Sequence, residues 1–100
     1  MTRAGVFIGA ALCAAAIPAL ATAQVRIVQT NSQGDNIHLI DPATRTIVGE
    51  VKGVPINHGA AAAPDGSRLY FSSEAEQTLH VVDGKTLQVT KKIPLTGRPC

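Results

Sequence analysis

The chain has 100 residues, of which 45% are hydrophobic, 3% aromatic and 16% charged, with a formal net charge of +2. No basic stripe with interleaved aromatics is present, so nucleic-acid binding has no electrostatic footprint. There is also no Gly-rich phosphate loop, no G-x-S-x-G elbow, no H-E-x-x-H and no C-x-x-C-H haem-attachment motif, and hence no visible set of nucleophile, base and orienter.

Residues 1–23 read as a cleaved export signal. Arg3 supplies a short positive region, Gly5 to Ile17 is an almost unbroken apolar run, and Pro18 breaks it. Ala21-Thr22-Ala23 then gives a small-x-small cleavage pattern, which places the mature N-terminus at Gln24. The apolar run is short of the roughly 20 residues that span a bilayer, and no second run follows. A retained anchor is the alternative. Cys13 does not mark a lipoprotein, because Leu12 stands where a small residue is needed and Cys13 sits inside the apolar run. The expected location is the bacterial periplasm or the exterior. Losing Arg3 leaves eight basic side chains against seven acidic ones, so the mature chain is nearly neutral.

Beyond the signal, short strands separated by turn signals predict an all-β fold. The expected strands are 26–31, 36–41, 46–51, 60–63, 68–73, 78–83 and 87–93, the fourth extending to 58–63 by the resemblance given below. Asp41-Pro42-Ala43-Thr44 and Asp83-Gly84-Lys85-Thr86 are turns whose leading carboxylate can accept backbone N–H groups. Pro64-Asp65-Gly66 marks another tight turn. Ala60–Ala63, bounded by Gly59 and Pro64, is too short to nucleate a helix and reads as a strand kept small by crowding.

Two stretches of the chain are copies of one unit at an offset of 42 (27 against 69). Arg26/Arg68, His38/His80, Asp41/Asp83 and Thr44/Thr86 are identical at that offset, and Ile27/Leu69, Ile37/Leu79 and Leu39/Val81 stay apolar. Strand-rich repeats of this period signal stacked units that cannot bury their faces alone. His38 and His80, being equivalent and mid-strand, read as hydrogen-bonding residues of the sheet stack.

The run HGAAAAPDGSRLYFSS (58–73) followed by TLHVVDGKTLQVTKKIPL (78–95) resembles the YVTN-type β-propeller repeat. Pro64, Asp65, Gly66, Leu69 and Tyr70 match its first part, and Leu79, Val81, Val82, Asp83, Thr86, Ile93 and Pro94 match the rest. Ser72-Ser73 departs from the Thr-Asn ending, and Ala60–Ala63 replaces a valine-rich strand. The resemblance implies blades of four antiparallel strands running outward from a central axis. It divides the mature chain into an incomplete first blade, 24–57, without its innermost strand, and a second blade, 58–100. Closure takes four to eight blades, about 170–340 residues at this period. The chain therefore reads as the N-terminal part of a longer protein, with C-terminal sequence supplying the rest of the ring.

Propeller ligands bind at the mouth of the axial channel, which by this resemblance points to Asn57 and His58 as ligand-binding candidates. His58 has the chemistry of a metal or haem ligand, a proton shuttle or a donor to an anion. Cys100 falls at the repeat position of His58, so the pair forms a two-ligand start to a soft-metal site, short of the three or four that such a site needs. No cofactor can be named. The expected function is an exported propeller acting as a binding or interaction scaffold for a protein, a surface polymer or a small ligand. The alternatives are a periplasmic redox accessory or enzyme, quinone- or haem-linked, and a lactonase-like hydrolase resting on fold analogy.

Overall fold

The computed structural model describes residues 24–100; the predicted export signal, 1–23, lies outside them. Within 24–100 the chain forms seven strands: β1 Ile27–Thr30, β2 Ile37–Asp41, β3 Thr46–Val51, β4 Asn57–Ala62, β5 Arg68–Ser73, β6 Thr78–Asp83 and β7 Val89–Pro94. They pair as consecutive antiparallel neighbours in two sheets, β1-β2-β3 and β4-β5-β6-β7. β1 is the repeat equivalent of β5. The first sheet thus lacks, among the described residues, a counterpart of β4.

The outer hairpins of the two sheets are built alike. Asp41 Oδ1 accepts the Ala43 N–H at 2.9 Å, and Asp83 Oδ1 accepts those of Lys85 and Thr86 at 2.8 and 2.9 Å. These bonds hold the Asp83 carboxyl below its ordinary pKa of 3.8. Each turn closes on a left-handed residue, Arg45 (φ 56°) or Leu87 (φ 59°), whose N–H bonds the carbonyl of the leading Asp. Leu87 is thereby removed from the strand that the sequence predicts from 87, and β7 starts at Val89. A bulge follows at the same place in both copies, between Leu39 and Ile40 and between Val81 and Val82.

Alternation decides what packs. Leu69 and Phe71 on β5 pair with Val82 and His80 on β6 and share one face. That face meets Ile37 and Val51 of the first sheet, with Val54 of the connection beneath; Val28, Leu39, Leu87 and Val89 complete the cluster. Phe71, Ile37, Val51, Val54 and Val82 are fully buried, each contributing about 1.5–3 kcal/mol of transfer free energy. Gly49 lets the sheets approach, since a Cβ there would lie 2.7 Å from Leu87 Cδ1. At the other edge β1 lies against β4, where Ala60, Ala61 and Ala62 line a shallow groove with Val28. These alanines are solvent-exposed rather than crowded, because only β1 and β5 adjoin them among the described residues.

Candidate functional site

The connection from β3 to β4 crosses between the sheets, and two of its residues take left-handed backbone. Gly53 takes φ 81°, a conformation costly for any residue with a Cβ. Ile56 takes φ 47°, a strained choice for a β-branched residue. The segment is held on both sides: Val54 N–H and Ile56 N–H bond the carbonyls of Asp35 and Gly34 in the first sheet. From the second sheet Ser73 Oγ donates to Pro55 O at 2.6 Å, and Glu74 N–H donates to Ile56 O.

Asn57 follows, fully buried. Its Nδ2 donates to Val54 O at 2.9 Å and Asn36 O at 3.1 Å, which ties the two sheets together. Its Oδ1 is buried without a partner, an uncommon state for a buried polar atom. Next, His58 and Gly59 together oppose Ser72, because Asn57 pairs with Ser73 but Ala60 pairs with Phe71. This bulge turns the Gly59 N–H away from the ladder and onto Ser72 Oγ, at 2.8 Å. It also re-aims the His58 ring.

The ring meets a carboxylate. His58 Nε2 lies 2.7 Å from Glu74 Oε2, and Arg98 Nη2 lies 2.6 Å from Glu74 Oε1, so one carboxylate bridges an imidazole and a guanidinium. The three side chains are partly exposed, with Arg98 the most open at 70%. The Cys100 carbonyl oxygen would stand 3.4 Å from a Cβ at Gly59, so the last residues run beside the bulge. Cys100 itself is exposed and free. No group of three or more His, Cys, Asp and Glu side chains gathers in metal-ligating reach among the described residues.

A second polar cluster stands at the same end of β6. His80 is fully buried; its Nδ1 meets Thr78 Oγ1 at 3.1 Å, and its Nε2 lies 3.2 Å from Glu76 Oε2 without the alignment of a hydrogen bond. Lys92 bonds both oxygens of Glu76. Burial, reinforced by Lys92, moves the His80 pKa below its ordinary 6.5 although Glu76 pulls the other way. In the first sheet His38 is half-buried and contacts the amides of Asn31 and Asn36. Both equivalent histidines thus engage side chains of their own sheet, as the sequence predicts.

The sequence points to Asn57 and His58, whereas Glu74 and Arg98, which complete the cluster, are absent from the residues it singles out. The signal was available in part. Pairing Asn57 with Ser73 puts Glu74 opposite Ile56 and diagonal to His58, and Arg98 falls one repeat after Ile56.

No family model matches the chain, and no significant match is found among curated proteins. Among solved structures, hydrazine synthase of Kuenenia stuttgartiensis is similar, with 27% sequence identity and a TM-score of 0.70 over 74% of this chain. The chain spans about a fifth of that protein's length, 21%. The fold is thereby defined as all-β, made of β-propeller blades: a three-stranded blade and a four-stranded one.

Proposed function

We propose that the chain is an exported β-propeller protein of the YVTN-repeat type that works as a binding scaffold. It would engage a protein, a surface polymer or a small ligand through the rim where β4 begins and the β5–β6 turn lies. The observation that carries this reading is the run Ile56–Gly59. A strained left-handed isoleucine, a buried asparagine with an unpartnered oxygen and a bulged histidine stand in direct succession. Departures from local preference gather where function maintains them. The result is a partly open His58–Glu74–Arg98 chain that offers both donors and an acceptor to a ligand. Periplasmic location rests on the sequence of residues 1–23.

A second reading, a periplasmic redox accessory or enzyme, is favoured by the likeness to part of an enzyme and by His58 as the site's available haem or metal ligand. One experiment addresses both. The full chain is melted alone and with muropeptides, chito-oligosaccharides and short peptides, and its visible spectrum is recorded after incubation with haem. A ligand that raises Tm in the wild type but not in the His58→Ala/Arg98→Ala variant supports the scaffold. Stoichiometric haem uptake with a Soret band that His58→Ala abolishes replaces it with the redox reading.

A further inference from the structure

Gln24, the expected mature N-terminus, belongs to neither the inter-blade core nor the rim site. It stands just before β1, at the end of the blade opposite the β5–β6 turn. Gln24 and Val25 are exposed and precede β1, so the sheet ladder does not hold this end of the chain extended. The side chain, by contrast, is held. Arg26 Nη2 donates to Gln24 Oε1 at 3.1 Å. Nη1 of the same guanidinium donates to Val25 O at 2.9 Å and lies 3.9 Å from Asp41 Oδ2. The first blade thus places a guanidinium, and the guanidinium places the carboxamide. A cation bonded to an amide oxygen draws electrons from the carbonyl carbon and makes it a better electrophile. The second blade supplies a control: Arg68 stands opposite Asp83, but Gly66 occupies the repeat position of Gln24. The arginine–aspartate pairing is common to both blades, and the glutamine is what the first one adds.

We propose that Gln24 is a modification site: once residues 1–23 are removed, it closes into an N-terminal pyroglutamyl residue. The inference rests on the export reading given above. The free α-nitrogen attacks Cδ of its own side chain. The N–Cδ bond forms, the Cδ–Nε2 bond breaks, and Nε2 leaves as ammonia, carrying the proton that the amine gives up. No oxidant, reductant or co-reactant enters the balance. Arg26 stabilises the negative charge that develops on Oε1 during the attack. The product suits its place. Gln24 and Arg26 line, with Val28, Leu39 and Leu69, a cavity of about 320 Å³ between the blades. An α-ammonium at its mouth would face a like charge, the Arg26 guanidinium; the lactam is neutral and keeps its oxygen for the same hydrogen bond. It also leaves no free amine for the exopeptidases that an exported chain meets.

The test is to express the full chain in a Gram-negative host and recover the exported protein. Its amines are labelled while it is still folded, and its N-terminal peptide is then read by tandem mass spectrometry. The expected peptide begins at residue 24, carries no label on its α-nitrogen and is lighter than the encoded sequence by one ammonia. Pyroglutamyl aminopeptidase should release its first residue. Labelling before digestion separates cyclisation in the protein from cyclisation during handling. A time course on freshly exported protein tests Arg26: Arg26→Ala, with circular dichroism to report folding, is expected to slow closure by about two- to fivefold, the worth of one hydrogen bond. A peptide that begins at Gln24 with a labelled amine and full mass overturns the proposal and leaves the export reading standing. A peptide that begins elsewhere overturns that cleavage reading and the proposal together. A folded Arg26→Ala chain that closes at the wild-type rate overturns the part assigned to Arg26. None of these readouts depends on ligand binding at the rim, which lies at the other end of the blade.

Discussion

Leu69 and Ile27 occupy one repeat position in two blades, yet the first is 7% exposed and the second 50%. Phe71 is fully buried, whereas Gln29 at the same position is exposed. His80 is sealed from solvent and His38 is half-buried. The strands, turns and bulges of the two blades agree, so backbone geometry does not cause these differences. The cause is adjacency: the first blade covers one face of the second, and no described residue covers the matching face of the first. A blade is thus a locally specified unit whose core belongs to its neighbour, as expected of stacked repeats.

The largest effect expected from this contrast is at Phe71. Phe71→Ala removes a ring at the centre of the inter-blade cluster and is expected to cost about 3–5 kcal/mol. Gln29→Ala, at the equivalent uncovered position, is expected to stay within about 0.5 kcal/mol. Urea unfolding of both variants checks the pair. Equal losses would break the comparison by showing that the first blade's outer face is packed as well.

A smaller effect distinguishes the two outer turns, which share the leading Asp carboxylate and the left-handed closing residue but differ at the second residue. Pro42 in the first blade is exposed. Gly84 in the second donates to Ser67 O at 2.9 Å, and a Cβ on it would run into the Gly66 carbonyl oxygen. The φ of Gly84 is not in the left-handed range; what the residue provides is close backbone approach between the β6–β7 turn and the Pro64–Ser67 turn. Backbone cannot move aside as a side-chain end can. Gly84→Ala is therefore expected to lose about 1–3 kcal/mol by overpacking, against less than about 1 kcal/mol for Pro42→Ala. Thermal melts of the two variants measure the difference.

The contrast also shows what could be read from the chain beforehand. Apart from β4, which has no second copy, strand positions are legible to within two residues because apolar alternation repeats at a fixed offset and one copy checks the other. The Asp41 and Asp83 turns were legible because the carboxylate acts within its own turn. What escaped was determined by the partner segment. The left-handed Leu87 depends on closing a turn onto Asp83 O, and its side chain finds room only over Gly49 in the other blade. The bulge at His58–Gly59 depends on Ser72 Oγ replacing a ladder acceptor. Glu74 and Arg98, which complete the His58 cluster, are separated by 24 residues and meet only when the tail returns to β4.

The finest test of the contrast is a pH profile. His80 is buried and its pKa is lowered, first by desolvation and then by Lys92, against the pull of Glu76. A base whose folded pKa lies below its unfolded value near 6.5 takes up a proton more readily when unfolded. The stabilisation is then complete above about pH 6.5–7 and is lost as pH falls through that value toward the folded pKa. His80→Gln keeps a polar group that can still meet Thr78 but removes the titration. Chemical denaturation between pH 7.5 and 5 should show the wild type losing stability downward through this window, with a flatter profile for His80→Gln. Every other titratable group is common to both proteins, so the difference between the profiles isolates His80. A wild-type profile that is level through pH 6, or a variant profile that falls as steeply, would show that Glu76 compensates the burial fully and that sealing this repeat position carries no protonation cost.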